Sequence, residues 1–146
     1  DMSQQLEAGR ERGDYAPLLG LFPYARRMGY EVQIIGDRVR LNLPFRDELV
    51  GNPWVRSLHG GVVGAMLETA GLLQLMHVTD VIRLPRLVDI TVDYLRLAKA
   101  ESMTAEAELL RQGRRVANLR MIAYQGDATK PVASGRGHFL LSSRPD

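Results

Sequence analysis

The chain contains no cysteine, so disulfide bridges, thiolate nucleophiles and cysteine-ligated zinc are excluded. Aromatic residues make up only 6% of the sequence, and no basic run is interleaved with them, which disfavours nucleic-acid binding. The N-terminal end lacks a signal-peptide pattern, and no uninterrupted apolar run is long enough to span a bilayer. We therefore expect a redox-insensitive cytoplasmic protein without nucleic-acid or membrane partners.

The composition is that of a soluble globular protein with one domain. Of the 146 residues, 45% are hydrophobic and 25% are charged, and the formal net charge is only +2 at pH 7. Lys99 and Lys130 are the only lysines, so the basic side chains are nearly all arginines. Arginine suits phosphate recognition, although a scattered set of charges is equally typical of a solvated surface.

The hydrophobic pattern divides the chain into a helical N-terminal segment and a strand-rich remainder. The pattern predicts a polar helix over residues 3–12 and a second helix over residues 15–28, with Pro23 as a candidate break in the second. We expect this segment, residues 1–28, to pack on a single domain formed by residues 29–146. Apolar and polar residues then alternate in several segments, which predicts half-buried strands of a mostly antiparallel sheet. These segments are 30–35, 38–43, 84–97, 102–111, 115–125 and 131–141.

One stretch of the sequence is apolar almost throughout and is a candidate helix. Between Gly60 and Met76 the only strongly polar side chains are Glu68, Thr69 and Gln74, which predicts a helix buried nearly all round. A buried carboxylate needs a partner or a task, because removing its water without compensation is costly. We therefore interpret Glu68 as a catalytic group, the alternative being a structural carboxylate paired with an arginine.

The start of this helix supplies a second chemical feature. Its first backbone N–H groups have no acceptor within the helix and lie at the positive end of the helix dipole. Gly60 and Gly61 leave room there for the carbonyl oxygen of an ester or thioester. Gly60 and Glu68 are about 12 Å apart along the helix axis, too far to act on one carbonyl. Two copies packed antiparallel across a two-fold axis would bring them together, which predicts sites shared between protomers of a dimer.

The sequence resembles the hotdog-fold acyl-CoA thioesterases, and within them the phenylacetate-pathway branch. The resemblance rests on His-Gly-Gly with an acidic residue nine positions after the histidine, together with several strand segments, and it covers residues 29–141. The residues that carry it are His59, Gly60, Gly61, Glu68, and segments 92–96, 113–117 and 134–137. It implies an α+β fold in which an antiparallel sheet wraps around one long central helix, as well as a homodimer or homotetramer.

The resemblance also implies roles for particular residues. The Gly60 N–H would bind the thioester oxygen, and Glu68 would act as the nucleophile or as the general base that activates water. The phenylacetate branch usually has Asp at the Glu68 position, which leaves these two routes open. Its usual polar residue six positions before the histidine is here Pro53, and Asn52, one position earlier, takes its place as a candidate.

Further candidates complete the expected site. His59 is a candidate for catalysis or for scaffolding at the helix start, and Gly61 for substrate binding. The family has a hydroxyl at a position that falls near Leu87 here, and Thr69 or Thr91 is the candidate to replace it. A second group of candidates would contact the phosphates of coenzyme A. This group is Arg114, Arg115 and Arg136.

The predicted activity is hydrolysis of an acyl-CoA thioester to a free acid and coenzyme A, without a metal or redox cofactor. Two alternatives stay open. A hotdog hydratase or dehydratase would need a His and acid pair, which only His59 could supply, and a non-catalytic acyl-CoA-binding protein would bind without turnover. Aromatic, short aliphatic and medium-chain acyl groups all fit the sequence equally well.

Overall fold

The computed structural model describes residues 2–81 and 83–141. Four α-helices and eight strands, with a short 3-10 turn at Asp47–Leu49, form this part of the chain. The helices are α1 (Met2–Arg12), α2 (Ala16–Leu19), α3 (Pro23–Met28) and α4 (Gly60–Val78). The strands are β1 (Glu31–Ile35), β2 (Arg38–Leu43), β3 (Val50–Asn52), β4 (Ser57–Leu58), β5 (Arg86–Tyr94), β6 (Met103–Gln112), β7 (Val116–Tyr124) and β8 (Ala133–Leu140).

Six of the strands form one antiparallel sheet in the order β1-β2-β6-β7-β8-β5, and β3 and β4 form a separate hairpin just before α4. Helix α4 packs against the inner face of the large sheet, with most contacts to β6, β7 and β2. The predicted α+β hotdog architecture, a sheet around one long helix, is confirmed. Both edges of the sheet, β1 and β5, lack a neighbouring strand among the described residues.

The close fit between α4 and the sheet depends on small residues at the contact. Ala105, Ala117 and Ala123 lie fully buried on the inner face, so the helix can approach the sheet closely. A side chain at Gly71 of α4 would put its Cβ 3.0 Å from the Phe139 ring. Helix and sheet therefore interlock at the middle of α4, and this contact fixes which side of the helix faces the sheet.

The N-terminal segment packs against the far end of α4. Leu6 and Leu18 are buried in the common hydrophobic core. The Arg10 guanidinium donates hydrogen bonds to the carbonyl oxygens of Met76, at 2.8 Å, and Val81, so it binds the negative end of the helix dipole. The Tyr15 hydroxyl lies 2.9 Å from Nδ1 of His77. The predicted second helix is interrupted as expected and becomes α2 and α3.

Two expectations about the pattern are wrong. Helix α4 is not buried nearly all round, because the sheet covers only one side of it and Gly60, Gly61 and Glu68 are exposed. The alternation predicted over residues 84–97 fails in β5 at Val88. A β-bulge between Leu87 and Asp89 shifts the register, so Leu87 and Ile90 pack towards the core and Val88 is 59% exposed.

Helix α4 is long and apolar enough to cross a bilayer by length and composition alone, which the sequence analysis did not anticipate. It packs instead as the core helix of this domain. Gln74 is one of its buried residues, and both ends of its amide are hydrogen-bonded to the β1–β2 turn.

We expect Gln74→Leu to lower the free energy of unfolding by about 2 kcal/mol, because it leaves buried polar groups unsatisfied. Its Oε1 accepts a hydrogen bond from the Val39 N–H at 2.9 Å, and its Nε2 donates to the Asp37 carbonyl at 2.7 Å. Urea unfolding checks this against Gln33→Leu, the same change at an exposed site on β1. Equal midpoints for the two variants would contradict the assignment.

Candidate active site

The start of α4 presents free backbone donors. His59 is the N-cap residue, and its carbonyl accepts the N–H groups of Val62 and Val63 at 3.0 and 3.3 Å. Within residues 2–81 and 83–141, the N–H groups of Gly60 and Gly61 have no hydrogen-bond acceptor. Both residues are exposed, so a carbonyl oxygen can reach these donors at the positive end of the helix dipole.

The β3–β4 hairpin holds this helix start in place. A Cβ on Gly51 would lie 2.7 Å from Nδ1 of His59, so the histidine packs directly over a glycine that no other residue can replace without displacement. The His59 N–H also donates to the Leu49 carbonyl at 3.1 Å. His59 makes no side-chain cap to the helix, and these contacts favour its scaffolding role.

Asn52 lies at the end of β3, next to Gly51. Its Oδ1 accepts a hydrogen bond from the Trp54 N–H at 3.0 Å, an Asx turn that shapes the hairpin tip. Among residues 2–81 and 83–141 its Nδ2 has no hydrogen-bond acceptor, so this group can bind substrate or water. The hairpin therefore brings Asn52, His59 and Gly60 to one corner of the molecule.

Tyr94 closes the same corner from the sheet, and the sequence analysis missed it. The Tyr94 hydroxyl donates to the Gly60 carbonyl at 3.0 Å. It would lie 3.7 and 3.6 Å from a Cβ at Gly60 and Gly64. Glycines at positions i and i+4 of one helix form a groove for an aromatic side chain, and this spacing is the signal that could have revealed the contact.

Glu68 does not join this corner within one chain. It follows Gly60 by eight residues, about two helical turns, so the two lie about 12 Å apart along the axis. Its side chain is exposed, on the side of α4 that faces away from the sheet. The expected burial is wrong for the single chain, because neither the sheet nor the N-terminal helices cover this position.

An apolar cavity of about 230 Å³ opens beside Glu68, between α4 and the two short N-terminal helices. Among the described residues that line it, Glu68 is the only charged one, and Thr69 lies next to Glu68. The Thr69 hydroxyl donates to the Ala65 carbonyl at 2.7 Å, which leaves its oxygen able to accept a further hydrogen bond. We call this space the α2–α4 cavity.

Tyr30 is a second residue that sequence reasoning missed. Its hydroxyl is buried and makes no hydrogen bond of good geometry to the described residues. Burial raises the pKa of this phenol above its usual value, and the nearby charges of Tyr24 and Glu68 add to the rise, whereas the Thr69 hydroxyl opposes it. A neutral phenol therefore lies near Thr69 and Glu68, and no motif in the sequence identifies it.

The predicted phosphate-binding arginines lie elsewhere in the single chain. Arg114 and Arg115 belong to the β6–β7 turn, where they line an open groove of about 650 Å³ with Arg111 and His138. The strand register places this turn beside Leu140, at the end of the sheet opposite Tyr94. Arg136 pairs with Arg120 and Thr91 across the middle of the sheet, and it is exposed. One chain does not bring these arginines to Gly60.

No group of three or more His, Asp or Glu side chains that could hold a metal ion occurs among residues 2–81 and 83–141. The candidate site offers backbone N–H donors, a carboxylate and an apolar cavity. A long helix wrapped by an antiparallel sheet, with these features, defines the class of hotdog-fold thioester hydrolases.

The comparisons identify the family. A family model for the acyl-CoA thioesterase N-terminal domain matches residues 51–140. The medium/long-chain acyl-CoA thioesterase YigI of Escherichia coli K12 is 36% identical over 135 residues, covering 82% of this chain and 85% of YigI. The chain belongs to the acyl-CoA thioesterase family, and its activity is thioester hydrolysis.

Solved structures agree with the fold. A crystal structure of a Chromobacterium violaceum protein has a TM-score of 0.78 and 34% identity, covering 95% of this chain and 97% of that one. A putative thioesterase of Ralstonia eutropha JMP134, described as phenylacetic acid degradation-related, has a TM-score of 0.74 over 91% of this chain and 98% of its own. Its identity is 22%, so this likeness supports the fold alone. The hydratase and the non-catalytic alternatives have no such support.

We expect Gly51→Ala to destabilise the protein by about 1–3 kcal/mol, because the new methyl group overlaps the His59 ring and backbone. Thioester hydrolysis should fall with it, since His59 begins the helix that carries the free N–H groups. Thermal unfolding and thiol release measure the two effects. Gly20→Ala is the matched control, because its added Cβ meets no atom closer than 3.5 Å. Equal behaviour of both variants would exclude the role of Gly51.

Proposed function

We propose that this protein hydrolyses the thioesters of medium- or long-chain fatty acids with coenzyme A, in the cytoplasm. The observation that carries this proposal is the position of Glu68, an exposed carboxylate at the rim of an apolar cavity. An aliphatic acyl chain needs such a cavity, and its thioester carbonyl needs an activated nucleophile beside it. The name of the E. coli relative supports the same substrate class.

We further propose that two chains build each site. Gly60 and Glu68 lie about 12 Å apart on one helix, so a two-fold axis must bring Gly60 of one protomer to Glu68 of its partner. The surface around the helix start supports such an assembly, because it exposes large apolar side chains beside the unpaired edge of β5. These side chains are Trp54, Tyr94, Leu95 and Leu97, of which Trp54 is 95% exposed.

In the proposed mechanism, the Gly60 N–H, supported by that of Gly61, binds the thioester oxygen. Glu68 of the partner protomer then takes a proton from water as the water oxygen attacks the carbonyl carbon. The resulting oxyanion stays at the helix start until it collapses and the C–S bond breaks. Coenzyme A leaves as a thiolate and receives the proton.

The direct route remains open beside this one. A Glu68 oxygen attacks the carbonyl carbon, coenzyme A thiolate leaves, and water hydrolyses the resulting anhydride. Asn52 positions substrate or water with its free Nδ2, and neither route requires a metal or redox cofactor. Incorporation of labelled water oxygen into Glu68 in a single turnover would distinguish the two routes.

We propose that arginine side chains bind the phosphates of coenzyme A. Arg114 and Arg115 lie at the end of the sheet that Gly71 of α4 contacts, and this end is remote from Gly60 of the same chain. An antiparallel pairing of the two α4 helices brings that end closer to Gly60 of the partner. We propose that these arginines, with Arg136, serve the partner's helix start, and that residues 1–28 and 29–146 act as one catalytic unit.

We expect Glu68→Gln to reduce kcat at least 100-fold, because the amide neither accepts a proton from water nor attacks a thioester. The measurement is thiol release from decanoyl-CoA. Glu7→Gln, the same change at an exposed site on α1, is the control and should keep parental turnover. Undiminished turnover in the Glu68 variant would remove this residue from the mechanism.

Gly60→Pro tests the oxyanion donor, since proline removes one N–H and is tolerated at the first position of a helix. His59 already has φ −57° and ψ 134°, the extended conformation that a following proline requires. We expect kcat to fall about 100-fold. Gly60→Ala keeps the N–H, and its Cβ meets the hydroxyl of Tyr94 at 3.7 Å and ring carbons of Tyr94 at 3.9 Å, which are ordinary contacts, so it should stay active. Equal losses in both would point to sterics instead.

Mixing the inactive Gly60→Pro and Glu68→Gln chains tests whether sites are shared. Random pairing makes about half of the dimers hybrids, each with one intact site, so activity should return to about a quarter of the parental value. Subunits are exchanged by co-refolding, and hybrids that are then isolated through two different affinity tags should have about half of the parental activity. Hybrids without activity would show that each site lies within one chain.

A further inference from the structure

We propose that the α2–α4 cavity holds the distal part of the acyl chain, and that Leu72 and Phe22 set the longest chain it accepts. This inference rests on the proposed function and deepens it. The N-terminal helices then form one wall of a specificity pocket, whereas the sequence predicted only that they pack on the domain.

The shape of the cavity follows the helix away from Glu68. Glu68, Leu72 and Met76 recur at four-residue intervals, so they line one side of the cavity along about 12 Å of the helix. Met76 is 1% exposed and stands at the inner end. Glu68 therefore lies at the outer end of the cavity and Met76 at the inner end. This arrangement matches a fatty acyl thioester, which has a polar carbonyl at one end and an apolar chain at the other.

The opposite wall comes from α2, α3 and the turn between them. Leu19 and Phe22 contribute apolar side chains there. Leu72 and Phe22 are both half-buried, whereas Leu73 and Met76 are fully packed in the core. Leu72 and Phe22 can therefore change size with the least damage to the fold, which makes them the residues where chain length is set.

The alternative explanation for the α2–α4 cavity is a packing defect. Protein interiors are close-packed, and an apolar void of this size between two elements loses many contacts. The N-terminal segment does not depend on filling the cavity, because Arg10 and Tyr15 anchor the segment by hydrogen bonds to the Met76 carbonyl and to His77, at the C-terminal end of α4. This separate anchor allows the wall to stay docked while the cavity remains open for a ligand.

The test is the ratio of kcat/KM for dodecanoyl-CoA to kcat/KM for butyryl-CoA. We expect Leu72→Trp to lower this ratio at least tenfold, because the indole fills the cavity one turn beyond Glu68. Leu72→Ala should shift the preference towards longer chains. Leu21→Trp is the matched control, because Leu21 is 48% exposed on the adjoining turn and does not line the cavity.

An unchanged ratio in Leu72→Trp, with a raised Tm, would identify the cavity as a packing defect and overturn the inference. Leu72→Phe replaces the tryptophan variant if that one fails to fold, as judged by circular dichroism. Binding of dodecanoate by calorimetry separates this inference from the proposed function. If the parent protein binds dodecanoate but hydrolyses no thioester, and Leu72→Trp abolishes this binding, the pocket is upheld and the proposed function is rejected. If the parent protein does not bind dodecanoate, the pocket is overturned.

Discussion

The one-sided packing of α4 against the sheet is the constraint on which the rest of the structure depends. Gly71 against Phe139, and Leu67 against Gly135, set how closely helix and sheet approach and which side of the helix is covered. An almost wholly apolar helix then has a second side that the sheet cannot cover. Glu68 and the α2–α4 cavity lie on that second side, so the fold leaves the carboxylate and the cavity where its own core is incomplete.

Local patterns in the sequence were sufficient to predict most of the fold. The alternation in β2, β7 and β8 matches their burial, because each of these strands has one face against α4 and one against solvent. The pattern failed in β5, where the bulge at Val88 depends on pairing with β8 and leaves no mark on the sequence of β5 alone. The local sequence indicates where a strand forms, but the register of the strand depends on its pairing with a neighbouring strand.

The site was only partly predictable for the same reason. The free N–H groups at Gly60 and Gly61 follow from helix chemistry, so the sequence indicated them directly. Tyr30 and Tyr94 reach the site through tertiary packing, and hydrophobic periodicity treats a tyrosine as one more strand residue. The exposure of Glu68 escaped prediction because composition alone does not say how much of a helix its neighbours cover.

The eight-residue interval between Gly60 and Glu68 makes quaternary structure part of the chemistry. A helix is rigid over two turns, so no local adjustment brings its own carboxylate to its own N-terminal donors. The distance between attacking group and oxyanion donor is then set by how two helices cross, and small changes at a distant part of the interface alter it. In the proposed dimer, the exposed edge of β5 and the apolar residues around Trp54 position the reacting groups, because they fix the angle at which the two helices cross. Their substitution should lower kcat more than it raises KM, because it misplaces the reacting groups while leaving each chain's acyl cavity intact.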